Sequence, residues 1–474
     1  MNHSTNERLP DPGRNRMLGV LALALFMTLI GVSIVNVALP SIEAGIGATQ
    51  PQLQWVLSGY ALTFGVVLVA SGRAGDIYGR GALFILGILV FTLASIGAGF
   101  APDPLWLNIA RFVQGIGSGL VNPQVIGMIQ EHFRGPERAR AFGVFGGTVG
   151  ISTAVGPLLG GLLIELGGLE SGWRWTFFVN VPLGIIAVVL AFLWMPKPLL
   201  RRSSGRVDGS ARQLDIVGAV MLGLAVLALM LPFMEGREWP PVWFVLPIGL
   251  LLVWAWALWE RRYLRAGNNP MVDLSIFRIS SFTNGTLVVF LYFLGMTSVW
   301  VLVALYFQEG LGHTALDAGL VGLPSALLSA ASALIGGRLV TRYGRRVVVL
   351  GLQLSLVGLV LSMLVVWLRS QELASEWWLL ATLSIFGFAQ GFVIGPNQTL
   401  TLAEVPVAYA GSSGGVMQTG QRIGATVGIA AITGISFSVL AISGWALAFL
   451  AGLGVILVTM VVALGMSYKD LRGR

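Results

Sequence analysis

The sequence predicts an all-α integral membrane protein with 14 transmembrane helices. Of its 474 residues, 55% are hydrophobic and only 11% are charged, which is too little charge to cover a soluble protein of this size. Apolar runs of about 20 residues recur along the whole chain, and each is long enough to cross a hydrocarbon core as a helix. The 63 glycines are spread through these runs, where small residues let helix backbones approach closely.

The hydropathy pattern sets the order of these helices along the chain. The predicted spans are residues 17–40, 52–72, 80–100, 105–128, 139–164, 175–195, 215–234, 242–260, 282–308, 315–340, 346–368, 376–400, 408–436 and 442–467. The first run is too long for the core of a signal peptide, and no small-residue cleavage site follows it. We therefore interpret it as a retained span, and the even number of spans places both chain ends on one side.

Lys and Arg are concentrated on that side. Of the 29 basic residues, 24 fall in the two chain ends and in the loops on the same side. Basic loops face the cytoplasm in membrane proteins, so both termini are predicted to be cytoplasmic, in the cell membrane. The net charge of +8 then indicates contact with anionic membrane lipid and no nucleic-acid partner.

The residue types also exclude some kinds of chemistry. The chain has no cysteine, and its three histidines lie in a tail or in loops, so no disulfide and no metal site is expected. No nucleophile–base set and no phosphate-binding loop is visible, and the glycine-rich segment GRAGDIYGRG follows a membrane span rather than a strand. We therefore predict a protein that is not an enzyme and has no cofactor.

An internal repeat divides the chain into two related parts. GRAGDIYGR (72–80) matches GRLVTRYGR (337–345), and VQGIGSGLVNPQ (113–124) matches AQGFVIGPNQ (389–398). Repeats that enclose a site near the membrane midplane are typical of secondary transporters. The expected organisation is a tail (1–16), a six-helix bundle (17–195), a linker (196–214), two inserted helices (215–260), a linker (261–281), a second six-helix bundle (282–467) and a tail (468–474). The two inserted helices show no polar pattern of their own, so they are expected to act as packing or spacing.

With these motifs the whole chain resembles the major facilitator superfamily and, within it, the 14-span drug:proton antiporters. The first copy of the loop resembles the family's cytoplasmic signature at Gly72, Arg73, Asp76, Gly79 and Arg80. Its glycines allow a tight turn, and Asp76 can pair with an arginine or cap a helix N-terminus, which forms a latch that holds one conformation. A plain basic loop is the alternative interpretation.

The second copy of the loop differs from the first at one position. Its matching residues are Gly337, Arg338, Arg342, Gly344 and Arg345. Thr341 stands where the first copy has Asp76, so a complete latch is not expected there.

Two further motifs carry the resemblance. In ARFVQGIGSG, Arg111 lies inside a span, where an arginine costs roughly 2.5–3.5 kcal/mol unless it faces a protein interior or a water cavity. The resemblance implies a proton-relay role for Arg111, with Gln114 one turn further in, whereas snorkelling to the helix end is the alternative. The segment GGTVGISTAVGPLLGG resembles the antiporter signature at Gly146, Gly150, Gly156, Pro157, Gly160 and Gly161, where small residues flatten a helix face and Gly-Pro bends it.

The first span lacks an acid that is common in the resembled group. SIVNVALPSI (33–42) resembles that group's first-span motif, in which many members carry an Asp just upstream, but the matching residue here is Gly31. No acidic residue is predicted near the midplane, whereas Arg422 is. Proton coupling would then depend on peripheral acids such as Asp76 or Glu165, or on a proton carried by the substrate, and uncoupled transport remains open.

Without an acid near the midplane, the polar residues predicted in the spans suit a neutral or anionic amphiphile. The candidate substrate-binding residues are Ser33, Asn36, Gln114, Asn122, Gln124, Gln398, Gln418, Gln421 and Arg422, with Tyr292, Phe293, Met296 and Trp300 as an apolar wall. Core packing or contact with lipid is the alternative for the wall. GWRWTFFVNVP (172–182) is expected to anchor its span at the outer surface.

The leading hypothesis is a monomeric secondary transporter that exports small amphipathic compounds, such as antibiotics or toxic metabolites. Alternating access between the two bundles would move the substrate, and a proton gradient would drive it. A lipid or anionic-metabolite flippase, possibly uncoupled, is the alternative of the same fold. A non-transporting membrane sensor is the remote alternative, because the chain offers no soluble signalling domain.

Overall fold

The computed structural model describes residues 12–168, 170–197, 199 and 214–472, and this part of the chain is helical without a strand. The first seven helices are α1 Pro12–Ile46, α2 Gln50–Tyr78, α3 Arg80–Gly99, α4 Pro104–His132, α5 Gly135–Gly167, α6 Gly172–Phe178 and α7 Asn180–Trp194. The other eight are α8 Ile216–Glu235, α9 Val245–Arg265, α10 Ser280–Leu305, α11 Ala315–Tyr343, α12 Arg345–Ser370, α13 Leu379–Thr401, α14 Ala410–Ser443 and α15 Trp445–Arg472.

The helices account for the predicted spans. In the described residues, 13 helical segments are long and apolar enough to cross a membrane, and α6 with α7 form one of them. The remaining predicted span is α4, which has 29 residues but carries Arg111, Gln114, Asn122 and Gln124 and is therefore less apolar. The predicted all-α membrane fold is confirmed, and the protein crosses the membrane many times.

The structure shifts several boundaries. The sixth predicted span is broken at Val179, between α6 and α7. Helix α9 continues to Arg265, so the predicted linker 261–281 begins inside a helix and then contains a 3-10 turn at Leu274–Arg278. The predicted tail 1–16 and the predicted linker 196–214 lie largely outside the described residues.

Both copies of the repeated loop make the same turn. Gly79 joins α2 to α3 with φ of 114°, and Gly344 joins α11 to α12 with φ of 53°. A residue with a side chain rarely adopts such backbone angles, so each turn requires glycine. The repeat seen in the sequence is therefore a structural repeat of a helix, a one-residue turn and a helix.

The helices form two sets that meet along two helix pairs. Helices α1 to α7 pack mainly on one another, as do α10 to α15, and the pairs α2–α14 and α5–α11 join the sets. Glycine lets the helix backbones approach closely at both junctions. A Cβ on Gly72 would lie 2.2 Å from the Gly411 carbonyl oxygen, and a Cβ on Gly143 would lie 2.9 Å from the Ala333 carbonyl oxygen. The inserted helices α8 and α9 pack on each other, and α8 also packs on α2 and α14.

Aromatic residues mark the end of the molecule opposite the repeated loops. Exposed tryptophans at this end include Trp106, Trp175, Trp239 and Trp378, as expected at a membrane–water interface. Trp173, within the predicted anchor segment, is instead fully buried, and its ring lies 4.4 Å from the Arg174 guanidinium. That segment therefore serves partly as a packing element and only partly as an interfacial anchor.

Candidate functional site

The repeated loop between α2 and α3 forms a charged junction with the start of α14. Asp76, in the last turn of α2, accepts hydrogen bonds from the backbone N–H groups of Gly411 at 2.9 Å and Ser412 at 3.0 Å. Its carboxylate also receives Nε and Nη2 of Arg80, at 3.1 Å and 2.7 Å. The negative charge thus sits at the positive end of the α14 dipole, where it stabilises contact between the two helix sets.

Arg80 extends this junction to two further segments, α4 and the turn before α14. Its guanidinium donates to the carbonyl oxygens of Gly127 at 3.2 Å and Val407 at 2.9 Å, and it forms an ion pair with Glu131. Arg73 lies 5.7 Å from the ring of Tyr409, which immediately precedes α14. We name Gly72, Arg73, Asp76, Gly79 and Arg80, with the segment 407–412, the latch.

The second copy of the loop forms different hydrogen bonds and ion pairs. Thr341 is exposed and donates to the Arg338 carbonyl at 2.7 Å, while Arg338 and Arg342 are exposed. Arg345 is buried and pairs with Asp470 of α15 at 2.6 Å and with the Asn397 side chain of α13. The second arginine is therefore held inside its own helix set, by an acid that no local sequence pattern indicated.

A second cluster surrounds Arg111, which is fully buried on α4. Its guanidinium donates to the carbonyl oxygens of Val56 at 2.8 Å and Gly31 at 3.3 Å, and to Gln114 Oε1 at 2.7 Å. These bonds exclude the alternative of snorkelling to the helix end. Gly31, which stands at the position of the missing first-span acid, thus contacts this arginine directly through its backbone.

Tyr60 connects the Arg111 cluster to the interface between the sets. The Arg111 guanidinium lies 4.3 Å from the Tyr60 ring, whose hydroxyl donates to the Thr28 carbonyl at 2.9 Å and lies 2.5 Å from Ser118 Oγ. The sequence analysis missed Tyr60, because a tyrosine in an apolar span has no distinguishing pattern.

Arg422 of α14 lies on the other side of this aromatic group. Its guanidinium is 4.3 Å from the ring of Phe64, one turn along α2 from Tyr60, and it is partly exposed. Within the described residues, no carboxylate pairs with Arg422 and no side chain accepts a hydrogen bond from it. The neighbouring Gln418 is buried, with an amide oxygen that has no hydrogen-bond partner. We name Tyr60, Phe64, Gln418, Gln421 and Arg422 the interface cluster.

The remaining substrate candidates fall into two groups. Asn36 is exposed, and Ser33 is partly exposed but donates to the Ser152 carbonyl at 3.0 Å. The other polar and apolar candidates are buried within one helix set or nearly so. These residues are Gln114, Asn122, Gln124, Tyr292, Phe293, Met296, Trp300 and Gln398.

The buried polar candidates make local contacts. Asn122 donates to the Ser118 carbonyl at 3.1 Å, and Gln124 donates to the Ser71 carbonyl at 2.8 Å. Tyr292 is fully buried and Met296 nearly so, which places them in the core rather than on an open wall. Among the described polar candidates, Asn36 is exposed and Ser33, Gln421 and Arg422 are partly exposed, so these are the groups that a ligand can reach in this conformation.

The glycines of α5 face two different neighbours. Gly146 and Gly150 lie against α11, where a Cβ on Gly150 would be 3.0 Å from the Ala330 nitrogen. Gly156 and Gly160 lie against α1, and a Cβ on Gly156 would be 1.9 Å from Ser33 Oγ. Pro157 lies between the two glycines that face α1, and Gly161 has open space beside it. Glu165, near the end of α5, is exposed.

This arrangement of membrane helices, with an internal repeat, a latch and a polar interface between two sets, defines a multi-pass membrane transport protein and not an enzyme. Residues 21–429 match the sequence profile of the Major Facilitator Superfamily. The chain belongs to the major facilitator superfamily, as its motifs predicted.

Characterised relatives include drug and antibiotic efflux proteins. The chain is 34% identical to a probable actinorhodin transporter of Streptomyces coelicolor, over 91% of this chain and 74% of that protein. It is 32% identical to a puromycin resistance protein of Streptomyces alboniger, over 96% and 91% of the two chains. It is 31% identical to a multidrug resistance protein of Mycobacterium tuberculosis, over 88% and 75%.

Solved structures share the fold at low sequence identity. The human organic anion transporter MFSD10 superposes with a TM-score of 0.68 at 17% identity and covers 96% of this chain. The proton:xylose symporter XylE gives a TM-score of 0.68 at 14% identity, also over 96% of this chain.

Proposed function

We propose that this protein exports small amphipathic compounds, antibiotics or toxic metabolites among them, across the cell membrane. The resemblance to efflux proteins over most of the chain supports export. The surplus of basic residues on one side supports an orientation with both chain ends in the cytoplasm. Alternating access between the two helix sets is the proposed mechanism, with membrane lipid as the only other partner of a monomer.

The observation that carries this proposal is Arg422. A partly exposed guanidinium between two helix sets, stacked on Phe64 and lacking a carboxylate partner, is costly unless a ligand or water completes its contacts. An amphiphile with an acidic or strongly polar group satisfies the arginine, while its apolar body packs on the aromatic rings. Cargo that is anionic or neutral is therefore favoured over lipophilic cations.

The position of the latch indicates to which side of the membrane this conformation is closed. Asp76 and Arg80 hold the α2–α14 contact at the end of the molecule that carries the repeated loops. With that end in the cytoplasm, this conformation is closed towards the cytoplasm. We propose that cargo loading from the cytoplasm requires release of the latch, and that Arg422 is reached from the other side while the latch is closed.

The driving force is proposed in two forms. Coupling to a proton gradient, as in the resembled group, would use peripheral acids such as Asp76 or Glu165. The lack of an acid at Gly31 and of a carboxylate beside Arg422 favours a second form, uncoupled movement of an anion. A membrane potential that is negative inside would drive an anion outward with roughly 2.3 kcal/mol per charge per 100 mV.

Retention of fluorescent amphiphiles in cells tests the function. Cells that express the protein should retain less of an anionic and of a neutral amphiphile than cells with the latch variant Asp76→Asn. Arg422→Gln should weaken export of the anion by about tenfold to a hundredfold, the equivalent of a hydrogen bond to a charged group. Export of the neutral compound should change little, and Arg346→Gln, at an exposed position in the first turn of α12, is the matched control. Equal loss of both exports in Arg422→Gln would refute an anion-binding role.

A further inference from the structure

The inserted helices contain a buried acid that the sequence analysis did not recognise. Helix α9 buries only Gly249, Trp256 and Glu260 among its described residues. These lie on the stripe that faces α8, and Glu260 is 1% exposed. The sequence shows no polar pattern in the inserted helices that indicates a site, because Glu260 stands at the end of the second predicted span, next to the basic residues that follow it.

A second buried acid faces Glu260 from the start of α8. Asp215 is 3% exposed and accepts the Gly218 N–H and the Trp259 Nε1–H, each at 2.8 Å. A Cβ placed on Gly218 would lie 2.4 Å from Asp215 Oδ2 and 2.9 Å from Glu260 Oε1. The distance between Asp215 Oδ2 and Glu260 Oε1 therefore cannot exceed the sum of these two distances, so the two carboxylates are close neighbours.

The two carboxylates have unequal surroundings. Asp215 is stabilised as an anion by two donors, whereas neither oxygen of Glu260 has a hydrogen-bond partner. The donors that face Glu260 are the indole N–H of Trp256, which has no other hydrogen-bond partner, and the backbone N–H groups of Met271 and Val272.

No cation compensates this pair in the described part of the chain. Arg261 and Arg262 follow Glu260 on α9 but are exposed. Tyr263 is the other titratable group near both acids, and its ring stacks on Trp259 at 5.9 Å. Asp273, after α9, accepts from the Ser275 N–H at 2.9 Å.

We propose that Asp215 and Glu260 form a proton-binding site, in which Glu260 carries the proton and Asp215 is the neighbouring carboxylate. Burying an ionised carboxylate without a partner costs several kcal/mol, and a second negative charge at short range adds to that cost. A proton on Glu260 removes both penalties and supplies an O–H donor to the cluster. The site is independent of the proposed cargo, because it lies outside the interface cluster.

Loss of this proton would be transmitted through α8. The helix packs on α9 on one side and on α2 and α14 on the other, with Met230 against Gly65 of α2. A second charge at the α8–α9 contact weakens the hairpin, because burial disfavours the charged form. The protein should therefore lose stability as the pH rises and Glu260 loses its proton, and Glu260→Gln should not show this loss.

Labelling with dicyclohexylcarbodiimide, which modifies protonated carboxyls in apolar surroundings, tests the site on the unaltered protein. In detergent-solubilised protein, we expect peptide mass spectrometry to find Glu260 modified, with the label lost as the pH is raised. The exposed Glu43 is the internal control and should remain unlabelled. An unlabelled Glu260 at every pH at which the protein is folded would overturn the proposal.

Thermal unfolding supplies an independent second test. Glu260→Gln keeps the size and polarity of the side chain, so we expect a stability that is flat with pH where the unaltered protein declines. Asp215→Asn serves as the comparison, because it removes the neighbouring charge but keeps an acceptor for the Gly218 N–H. The same decline with pH in Glu260→Gln and in the unaltered protein would also overturn the proposal.

Discussion

Arg422 and Arg111 place two positive charges close to one aromatic group in the middle of the molecule. Arg111 lies over Tyr60 and Arg422 over Phe64, each at 4.3 Å, and within the described residues neither forms an ion pair. Arg111 is satisfied largely by backbone and amide oxygens, whereas Arg422 depends on its cation–π contact. At the residue scale, we therefore propose that the site disfavours cationic cargo.

Gly31→Asp should change this preference. The new carboxylate would enter beside Arg111, which already donates to the Gly31 carbonyl, and would cancel one of the two charges. We expect transport of a lipophilic cation to rise severalfold relative to that of an anion. Comparing cation and anion uptake into inverted membrane vesicles measures this ratio.

Gly31→Asn is the control for the size of the side chain. The Cβ at this position lies 3.0 Å from a Phe91 ring atom, so both variants require the same small shift of that ring. An identical cation-to-anion ratio in the Asp and Asn variants would contradict the electrostatic account.

Individual residues were predictable only where they interrupt a pattern. Arg422 and Arg111 are charges inside apolar runs, so the sequence located both of them. Tyr60 and Phe64 occur in a run that is apolar throughout, and only the helix packing brings them against the arginines. Tyr292 and Met296 were predicted to line a binding site because their side chains suit an apolar wall, but both are buried in the core.

The latch is a property of helix ends. Asp76 accepts hydrogen bonds from two N–H groups in the first turn of α14. These bonds are lost in any conformation in which α2 and α14 separate, so they stabilise the closed state. Asp76→Asn should weaken the closed state by roughly 1.5–3 kcal/mol, because a charge-assisted contact becomes a neutral one. Distances between spin labels on α2 and α14 should show a larger open population, while affinity for cargo falls little.

Asp470→Asn is the matched control for the latch variant. It removes the carboxylate that pairs with buried Arg345 inside one helix set, which should lower stability by roughly 3–5 kcal/mol. It should not change the separation of α2 and α14. An equal shift of that separation in both variants would contradict the assignment of the latch to Asp76.

The repeat predicted the turns of both loops but not their ion pairs. Gly79 and Gly344 occupy matching positions, since each turn needs a positive φ. The partner of Arg345 comes from α15, more than a hundred residues away, and no local pattern specifies it. Similarly, Asp215 and Glu260 meet only because α8 and α9 pack as a hairpin.

At the scale of the whole molecule, the two helix sets touch most closely near the repeated loops. A Cβ on Gly143 would lie 3.3 Å from the Cα of Gly337, and one on Gly337 would lie 2.9 Å from the Cα of Gly143. The two Cα atoms are therefore at the short end of the range of about 4.4–6.8 Å that disulfides span, and the helices must part slightly to form the bond. The natural chain has no cysteine, so Gly143→Cys with Gly337→Cys gives a single defined pair. Oxidation should block transport by at least about tenfold, and reduction should restore it.

Single-cysteine variants provide the control for this cross-link. Each should transport equally well under oxidising and reducing conditions. Full activity of the cross-linked protein would show that the α5–α11 contact does not need to open during transport.

The fold was predictable because membrane helices form all their backbone hydrogen bonds internally, and because their length and hydropathy make them recognisable in the sequence. Helix α4 is one of the less apolar predicted spans, because its polar residues belong to the Arg111 cluster and the inner packing. What hydropathy does not encode is which helices face each other, and the interface cluster exists only through the α2–α14 contact.

The most direct test of the central claim is transport by the purified protein in liposomes under an imposed membrane potential. An anionic amphiphile should move towards the positive side without a pH gradient, and Arg422→Gln should slow it by about tenfold to a hundredfold. Movement of a cationic amphiphile that requires a pH gradient and is unchanged in Arg422→Gln would contradict the account.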